Sequence, residues 1–249
     1  MKLLLKSLYH KYYRFQSFKV LGRTACLGNE IIKQMGWSKN YINHQKSRID
    51  YLLELNQNKN IIPYSKEIIN YLKHKFIIGT IEYQRYDFFR YPKPDVIVMD
   101  SFSELTDQLF LNQTNNSRFL ANYGDVDHEL LPVDFKCLGL LEESKLFKVY
   151  DNFFEKIEQT YPNVPLYFIH FSTKLDEREK FKNRGGMILD IINKLSQKYT
   201  FLQSIFIDDQ LVEKANSNNE EYNNLPYHYS DDTYRCYAEK FKKSLSNAN

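Results

Sequence analysis

Apolar residues along this chain follow two alternating patterns. Short, nearly unbroken runs bounded by Pro, Gly or Asp occur at FKVLG (18–22), PDVIVMD (94–100), VPLYFIHF (164–171) and FLQSIFIDD (201–209), and each predicts a strand. NKNIIPY (58–64) is a weaker fifth, because Pro63 removes a ladder donor. Between the runs, apolar residues recur at helical spacing. A helix is predicted near Asn29 to Met35, and another in SKEIINYLKHKF, with Ser65 as cap and Glu67 in the first turn. Leu146, Val149, Tyr150, Phe153 and Ile157 form one apolar stripe, and Ile188, Ile191, Ile192, Leu195 and Tyr199 a second. Gly185 and Gly186 precede the second stripe and predict a helix start or break there. A last helix, from Thr233 to Leu245, carries Tyr234, Tyr237 and Phe241. Leu111 to Leu131 shows neither period, is rich in Asn, Gln and Asp, and predicts a long loop insertion.

Strands apolar on both faces and separated by helices imply a parallel sheet covered on both sides. The expected fold is therefore α/β: a three-layer α/β/α sandwich with a mostly parallel sheet of about five strands. No repeat, low-complexity tract or linker interrupts the 249 residues, so one domain spanning 1–249 is expected. In such sheets ligands bind outside the carboxyl ends of the strands, so the loops after 18–22, 94–100, 164–171 and 201–209 should share a rim.

Composition alters this picture little. The chain is 43% hydrophobic and 26% charged, ordinary for a globular protein, but its 20 Tyr and 18 Phe are unusual. They suit an aromatic core; the other reading is a surface on which carbohydrate stacks. A net charge of +3 gives no reason to expect a nucleic-acid partner. Residues 1–20 hold Lys2, Lys6, Lys11, Arg14 and Lys19 and no acid. Residues 1–17 are expected to form a basic N-terminal helix or arm, packed on the domain or in peripheral contact with a membrane. Cys26, Cys137 and Cys236 lack CxxC spacing and are odd in number, which suits a reducing compartment and no structural zinc. No apolar run reaches the ~18 residues of a membrane span. The expected location is cytoplasmic, with the arm either packed on the domain or at the inner face of the membrane.

Four rim segments carry the candidate chemistry. In Gly22-Arg23-Thr24-Ala25-Cys26, a glycine after a strand allows a tight turn whose amides could hold an oxyanion. Thr24 and Cys26 are the candidate nucleophiles. A buried packing cysteine and a helix-capping threonine are the structural readings of the same two residues. The segment has neither the Lys-Ser/Thr of a phosphate loop nor a dinucleotide glycine pattern. MDSFSELTDQ places Asp100, Ser101, Ser103, Glu104 and Asp107 straight after a strand, for catalysis or for helix capping. HFSTKLDEREKFKNRGG holds His170, Lys174, Arg178, Lys180, Lys182 and Arg184, either a solvated helical face or a cradle for a phosphorylated or acidic substrate. LPYHYSDDTYR (225–235) sets His228 between Tyr227 and Tyr229, with Asp231 and Asp232 following, and makes it the candidate base. No metal-ligand spacing is present.

In that order the segments resemble the SGNH/GDSL-like hydrolase superfamily, from about residue 18 to 245. More narrowly, they resemble a branch found in bacterial surface-polysaccharide gene clusters that overlaps capsule-type acyltransferases. That branch opens with a strand and a Gly-Ser-Cys or Gly-Asn-Cys turn. It has a middle strand ending in Asp, as in PDVIVMDSFSEL, and closes with a Pro-aromatic-His-aromatic segment, as in Pro226-Tyr227-His228-Tyr229. The resemblance implies an SGNH/flavodoxin-like fold with a nucleophile in the first turn and a base near the C-terminus. Carried over, Thr24 stands where the family has Ser or Cys, and His228 where it has its base. Gly22-Arg23-Thr24 departs from Gly-Asp-Ser, and Leu225 stands where an orienting Asp would precede His228, leaving Asp100, Asp231 or Asp232 for that role.

The expected activity is O-acyl transfer, of acetyl above all, or ester hydrolysis on a bacterial surface polysaccharide. A glycan or nucleotide-linked sugar would be substrate and an acyl donor such as acetyl-coenzyme A the cosubstrate. Gly22, Arg23, Ser101, Glu104, Lys174, Arg184, Tyr227 and Tyr229 are the expected substrate-binding residues. Two rivals stand beside it. One is a transferase that binds a phosphorylated donor, coenzyme A or a nucleotide-sugar, through Arg23 and the basic loop and forms no covalent intermediate. The other is a non-catalytic SGNH-like component of a glycan or glycoprotein-export assembly.

Overall fold

A computed structural model describes residues 13, 16–58, 62–63, 66–216 and 225–247. Along the chain the elements are β1 (Val20–Arg23), α1 (Cys26–Gln34), β2 (Tyr41–Asn43), α2 (Ile49–Gln57), β3 (Ile62–Pro63), α3 (Lys75–Ile81), β4 (Val96–Asp100) and α4 (Phe102–Thr106). There follow β5 (Asp107–Asn112), β6 (Ser117–Asn122), β7 (Phe135–Gly139), α5 (Glu143–Thr160), β8 (Leu166–Ile169), α6 (Glu179–Lys198), β9 (Leu202–Ile205) and α7 (Asp231–Asn247). Most of the expected arm at 1–17, the cap at Ser65 and most of NKNIIPY lie outside the described residues. Among the described residues no helix is long and apolar enough to cross a membrane.

The described residues form two compact units, one from 1–42, 92–101 and 161–249, the other from 43–91 and 102–160. The first is the α/β unit that the strand pattern predicts. Its five-stranded sheet has the order β2-β1-β4-β8-β9, and the β1–β4, β4–β8 and β8–β9 pairs are all parallel. β1, β4 and β8 are buried along their whole length, which is why they read as unbroken apolar runs. Helix α1 packs on β4 and α7, and α6 and α7 pack on β9. Taken in chain order, the strands stand 2-1-3-4-5, so the order reverses between β1 and β4. That reversal is where a doubly wound sheet opens a crevice at its carboxyl edge.

Three expectations need correction here. The fifth strand of this sheet is β2, a three-residue edge piece with one buried residue, too short to give a run signal. Helix α6 runs through Gly185 and Gly186 without a break. A Cβ at Gly185 would lie 2.5 Å from Cγ2 of Thr173, so this glycine makes room for a neighbour. Gly22 is no turn glycine either: it lies inside β1 in register with Val98, at ordinary φ. A Cβ there would sit 2.1 Å from Cε2 of Tyr41, so Gly22 exists to admit that ring.

The second unit holds a four-stranded sheet, β3-β6-β5-β7, with β5 antiparallel to both β6 and β7. The stretch read as a loop insertion, Leu111 to Leu131, contains β6 and the hairpin turn before it. Its asparagines are turn chemistry: Asn112 Oδ1 accepts from the Thr114 and Asn115 amides, Asn115 Oδ1 accepts from Ser117, and Asn116 takes a φ of 60°. β6 is buried on both faces, so it shows no alternation. Two-residue β3 is an edge strand, where Pro63 is tolerated. SKEIINYLKHKF makes a 3-10 turn over Lys66–Tyr71 and is interrupted before α3. There Leu72 pairs with Val126, and the Lys73 amide donates to Asp125 O, 3.0 Å. The core of this unit gathers Ile68, Ile77, Ile81, Phe110, Phe119, Ala121 and Val126, with Phe110 and Phe119 stacked at 4.8 Å.

Candidate active site

At the reversal, the carboxyl ends of β1 and β4 are tied to each other. Asp100, the last residue of β4 and 1% exposed, accepts from the Ala25 amide through Oδ2 at 2.6 Å. Arg23, equally buried, donates from Nη2 to the Asp100 carbonyl at 2.7 Å. Arg23 is therefore a strut between two strands and not a ligand for a phosphorylated donor. Ser101 closes the next gap, its hydroxyl accepting from the Phe171 amide beyond β8 at 3.0 Å.

Thr24 is folded inward. It is 1% exposed; its hydroxyl donates to Asn29 Oδ1 at 3.1 Å and bonds the hydroxyl of Tyr41. With its one proton given to Asn29, the Tyr41 hydroxyl is left to donate to it. A Cβ at Gly28 would lie 2.4 Å from Thr24 Cβ, so the first turn of α1 closes over the residue. Nor is Thr24 the cap of α1: Ala25 holds that position, with no side-chain capping bond. Thr24 is thus a buried joint, which corrects its reading as nucleophile.

Cys26 is the group that reaches the rim. It is half-buried, is the first residue of α1, and donates its thiol to the Tyr227 carbonyl at 3.4 Å. That carbonyl belongs to the residue before His228, so the C-terminal segment lies against the start of α1. Burial, and then the charge of Asp100, push the Cys26 thiol up to about 12. The Leu27 and Cys26 amides and the Tyr234 hydroxyl act weakly in the other direction. His228 is half-buried and burial pushes its imidazole down to about 4, so it is neutral near pH 7.

The segment carrying His228 is pinned from several sides. The Tyr227 hydroxyl donates to Asp176 Oδ2 at 2.6 Å, the Tyr229 hydroxyl to Ser172 O at 2.8 Å, and Lys214 bridges Tyr229 through the main chain. The His228 carbonyl accepts from the Ala215 amide at 3.1 Å. Asp176 is buried, which alone would raise its carboxyl, yet bonds from Arg178 and Tyr227 hold it below its ordinary value. Phe171 packs edge-on to Tyr227 at 5.7 Å. Tyr227 and Tyr229 are therefore supports for His228, with their hydroxyls already committed.

The remaining candidates lie elsewhere. Asp231 and Asp232 are exposed in the first turn of α7, where Asp232 pairs with Arg235. Glu104 belongs to the second unit, where its carboxylate accepts from the Ile49 amide at 3.0 Å and the Tyr150 hydroxyl at 3.2 Å. Lys174 donates to the carbonyls of Asp209 and Val212 at 2.7 and 3.0 Å. Arg178 pairs with Asp176, Lys182 with Glu179, and Arg184 is buried. Lys174, Arg178 and Lys182 thus turn to the protein's own acceptors, while Lys180 stays exposed. Among the described residues no group of three His, Cys, Asp or Glu is placed to hold a metal ion. Sequence reasoning missed Tyr41, Asn29 and Asp176, none of which lies in a motif. A cavity of about 670 Å³ lies at the other end of the same sheet, by Val96, Pro165 and Phe201, where β4, β8 and β9 begin.

No family model matches the chain, and no curated protein matches it. Among solved structures it is similar to a protein from Bacteroides ovatus assigned as a GDSL-like lipase, at 11% identity and a TM-score of 0.45 over 93% of this chain and 53% of that one. It is similar to a protein from Bacteroides fragilis assigned as an acylhydrolase, at 10% identity and a TM-score of 0.48 over 96% of this chain and 94% of that one. It is also similar to an acetyl xylan esterase from the rumen bacterium Butyrivibrio proteoclasticus, at 11% identity and a TM-score of 0.41 over 93% and 64%. The chain spans about half the length of the first and under two thirds of the third. What the rim does is decided by its own residues.

Proposed function

We propose that this protein transfers or hydrolyses an acyl ester through Cys26, with His228 as the base. One observation carries the reading: the Cys26 thiol, at the start of α1 and beside the reversal in the sheet, donates to the carbonyl of Tyr227, next to His228, at 3.4 Å. Acyl transfer needs a base within hydrogen-bond reach of its nucleophile, and this contact brings the segment that carries His228 against Cys26. The thiol proton passes to His228 as sulfur bonds to the acyl carbon. The imidazolium returns the proton to the departing alkoxide. An acceptor hydroxyl, or water, then attacks the acyl-Cys26 thioester, His228 taking its proton and returning it to the Cys26 sulfur as the C–S bond breaks. With Ala25 N–H held by Asp100, the first-turn amides of Cys26 and Leu27 are the donors for the oxyanion.

Burial favours the neutral forms of both His228 and Cys26 at rest, so the thiol proton is taken as sulfur attacks and not beforehand. The acyl group proposed is acetyl and the acceptor a hydroxyl of a surface polysaccharide, following the resemblance in the rim segments. The test is turnover of an aryl acetate, with mass analysis for an acetyl group on the Cys26 peptide. Cys26→Ala and His228→Ala should each lose about 100-fold or more. Undiminished turnover in Cys26→Ala sinks the covalent step.

A further inference from the structure

We propose that the cavity at the amino ends of β4, β8 and β9 is a binding site for a neutral sugar chain, at the edge of the sheet opposite Cys26. The cavity measures about 670 Å³, the size of a small-molecule pocket. Phe18, Trp37, Tyr167 and Phe201 give it an aromatic wall. Those rings are braced by one another and by Phe241 of α7: centroids lie 5.1 Å apart for Phe18–Trp37, 5.9 Å for Trp37–Phe241 and 4.9 Å for Tyr167–Phe241. Polar groups that the fold leaves unused stand among the rings. Tyr167 is 1% exposed, yet its hydroxyl makes no hydrogen bond among the described residues. Burial raises that hydroxyl above its ordinary value, and no bond offsets it. A buried tyrosine hydroxyl ordinarily finds a partner. Gln203, its cross-strand neighbour on β9, is half-buried, and its carboxamide is likewise uncommitted among the described residues. Asp95 is the one charged residue of the lining, and its carboxylate accepts from the Lys19 amide at 2.7 Å. No cation lines the cavity, so a phosphate, nucleotide or uronate finds no charge partner there. A purely apolar ligand would leave the Tyr167 hydroxyl and the Gln203 carboxamide unbonded. A neutral saccharide meets both demands, with its apolar ring face against the aromatic wall and its hydroxyls on Tyr167 and Gln203.

Trp37 is the chain's only tryptophan, so its fluorescence reports this cavity directly. The probes are neutral oligosaccharides of glucose, galactose, xylose and N-acetylglucosamine, titrated into the full chain. At least one should shift the emission saturably, with a Kd of about 0.1–1 mM. Tyr167→Phe removes only the unbonded hydroxyl. It should weaken that Kd about fivefold to tenfold while leaving Tm unchanged or higher. Gln203→Ala should weaken it about fivefold, and decides the matter if Tyr167→Phe does not fold. No saturable response to any of these sugars up to about 10 mM overturns the proposal, as does one Kd shared by the wild type and both variants. Saturation by octanol with no response to sugars marks a site for apolar ligands and overturns it too. No turnover is measured, so the outcome is separable from that of the acyl reaction.

Discussion

Gly22→Ala offers a sharp test of how the rim is built. The added methyl would lie 2.1 Å from Cε2, 2.5 Å from the hydroxyl and 2.6 Å from Cζ of Tyr41, so the ring must leave. Overpacking of this kind costs about 1–3 kcal/mol. Displacing the ring also breaks the Tyr41–Thr24 bond, worth about 1 kcal/mol. The expected loss is about 2–4 kcal/mol, or about 5–15 °C in Tm for a chain of this size. The assay is a double-mutant cycle by urea unfolding, with Gly22→Ala made in the wild type and in Tyr41→Ala. Once the ring is gone the methyl has room, and Gly22→Ala should cost under about 1 kcal/mol, because alanine also lowers the entropy of the unfolded chain. The coupling energy should thus be about 2–3 kcal/mol. Equal cost in both backgrounds refutes a packing role, and returns Gly22 to the turn that its position after an apolar run suggests.

Thr24→Val should cost about 1–3 kcal/mol of stability, by removing the Thr24 bonds to Asn29 and the Tyr41 hydroxyl, while leaving aryl acetate turnover within about threefold of wild type; a 100-fold loss of turnover in a folded variant would restore Thr24 as nucleophile. Burial pushes the His170 imidazole from 6.5 down to about 3, so its neutral form is the folded one. Its contribution is full above about pH 6.5 and is lost as pH falls toward about 3, by about 4–5 kcal/mol over the whole window. His170→Gln should flatten that acid limb in urea melts at stepped pH, and parallel curves for the two proteins would count against it. Tyr227→Phe and Asp176→Ala should each lower turnover about tenfold through the same support of His228, so the double variant should be no worse than either; additive losses would mean that they act separately.

The central strands were legible because β1, β4 and β8 are buried on both faces, and such strands leave an uninterrupted apolar run. Helices α5 and α6 were legible because each buries one stripe, Leu146 to Ile157 and Ile188 to Leu195. β2 escaped because an edge strand three residues long owes its place to its neighbour and not to its own pattern. β6 escaped because burial on both faces removed its alternation and the asparagines before it resembled a loop. The second sheet was missed with them, since its β5–β6 hairpin was read as a loop and its β3–β6 and β5–β7 pairings join residues farther apart in sequence.

The same contrast holds at the rim. His228 and Cys26 were both candidates in the sequence, one before the last helix and one after the first strand, and the Cys26 thiol meets the carbonyl of the residue before His228. Thr24 was misplaced because it and Cys26 are equally plausible as residue types two positions apart. What separates them is the first turn of α1. Gly28 lets that turn close on Thr24, Tyr41 caps the hydroxyl from β2, and only the residue at the helix start is left facing the C-terminal segment. Asp100 was a candidate for orienting His228, as a carboxylate at the end of β4. Its bond goes to the Ala25 amide instead, so what the sequence offered as an orienting carboxylate is the tie between the end of β4 and the start of α1.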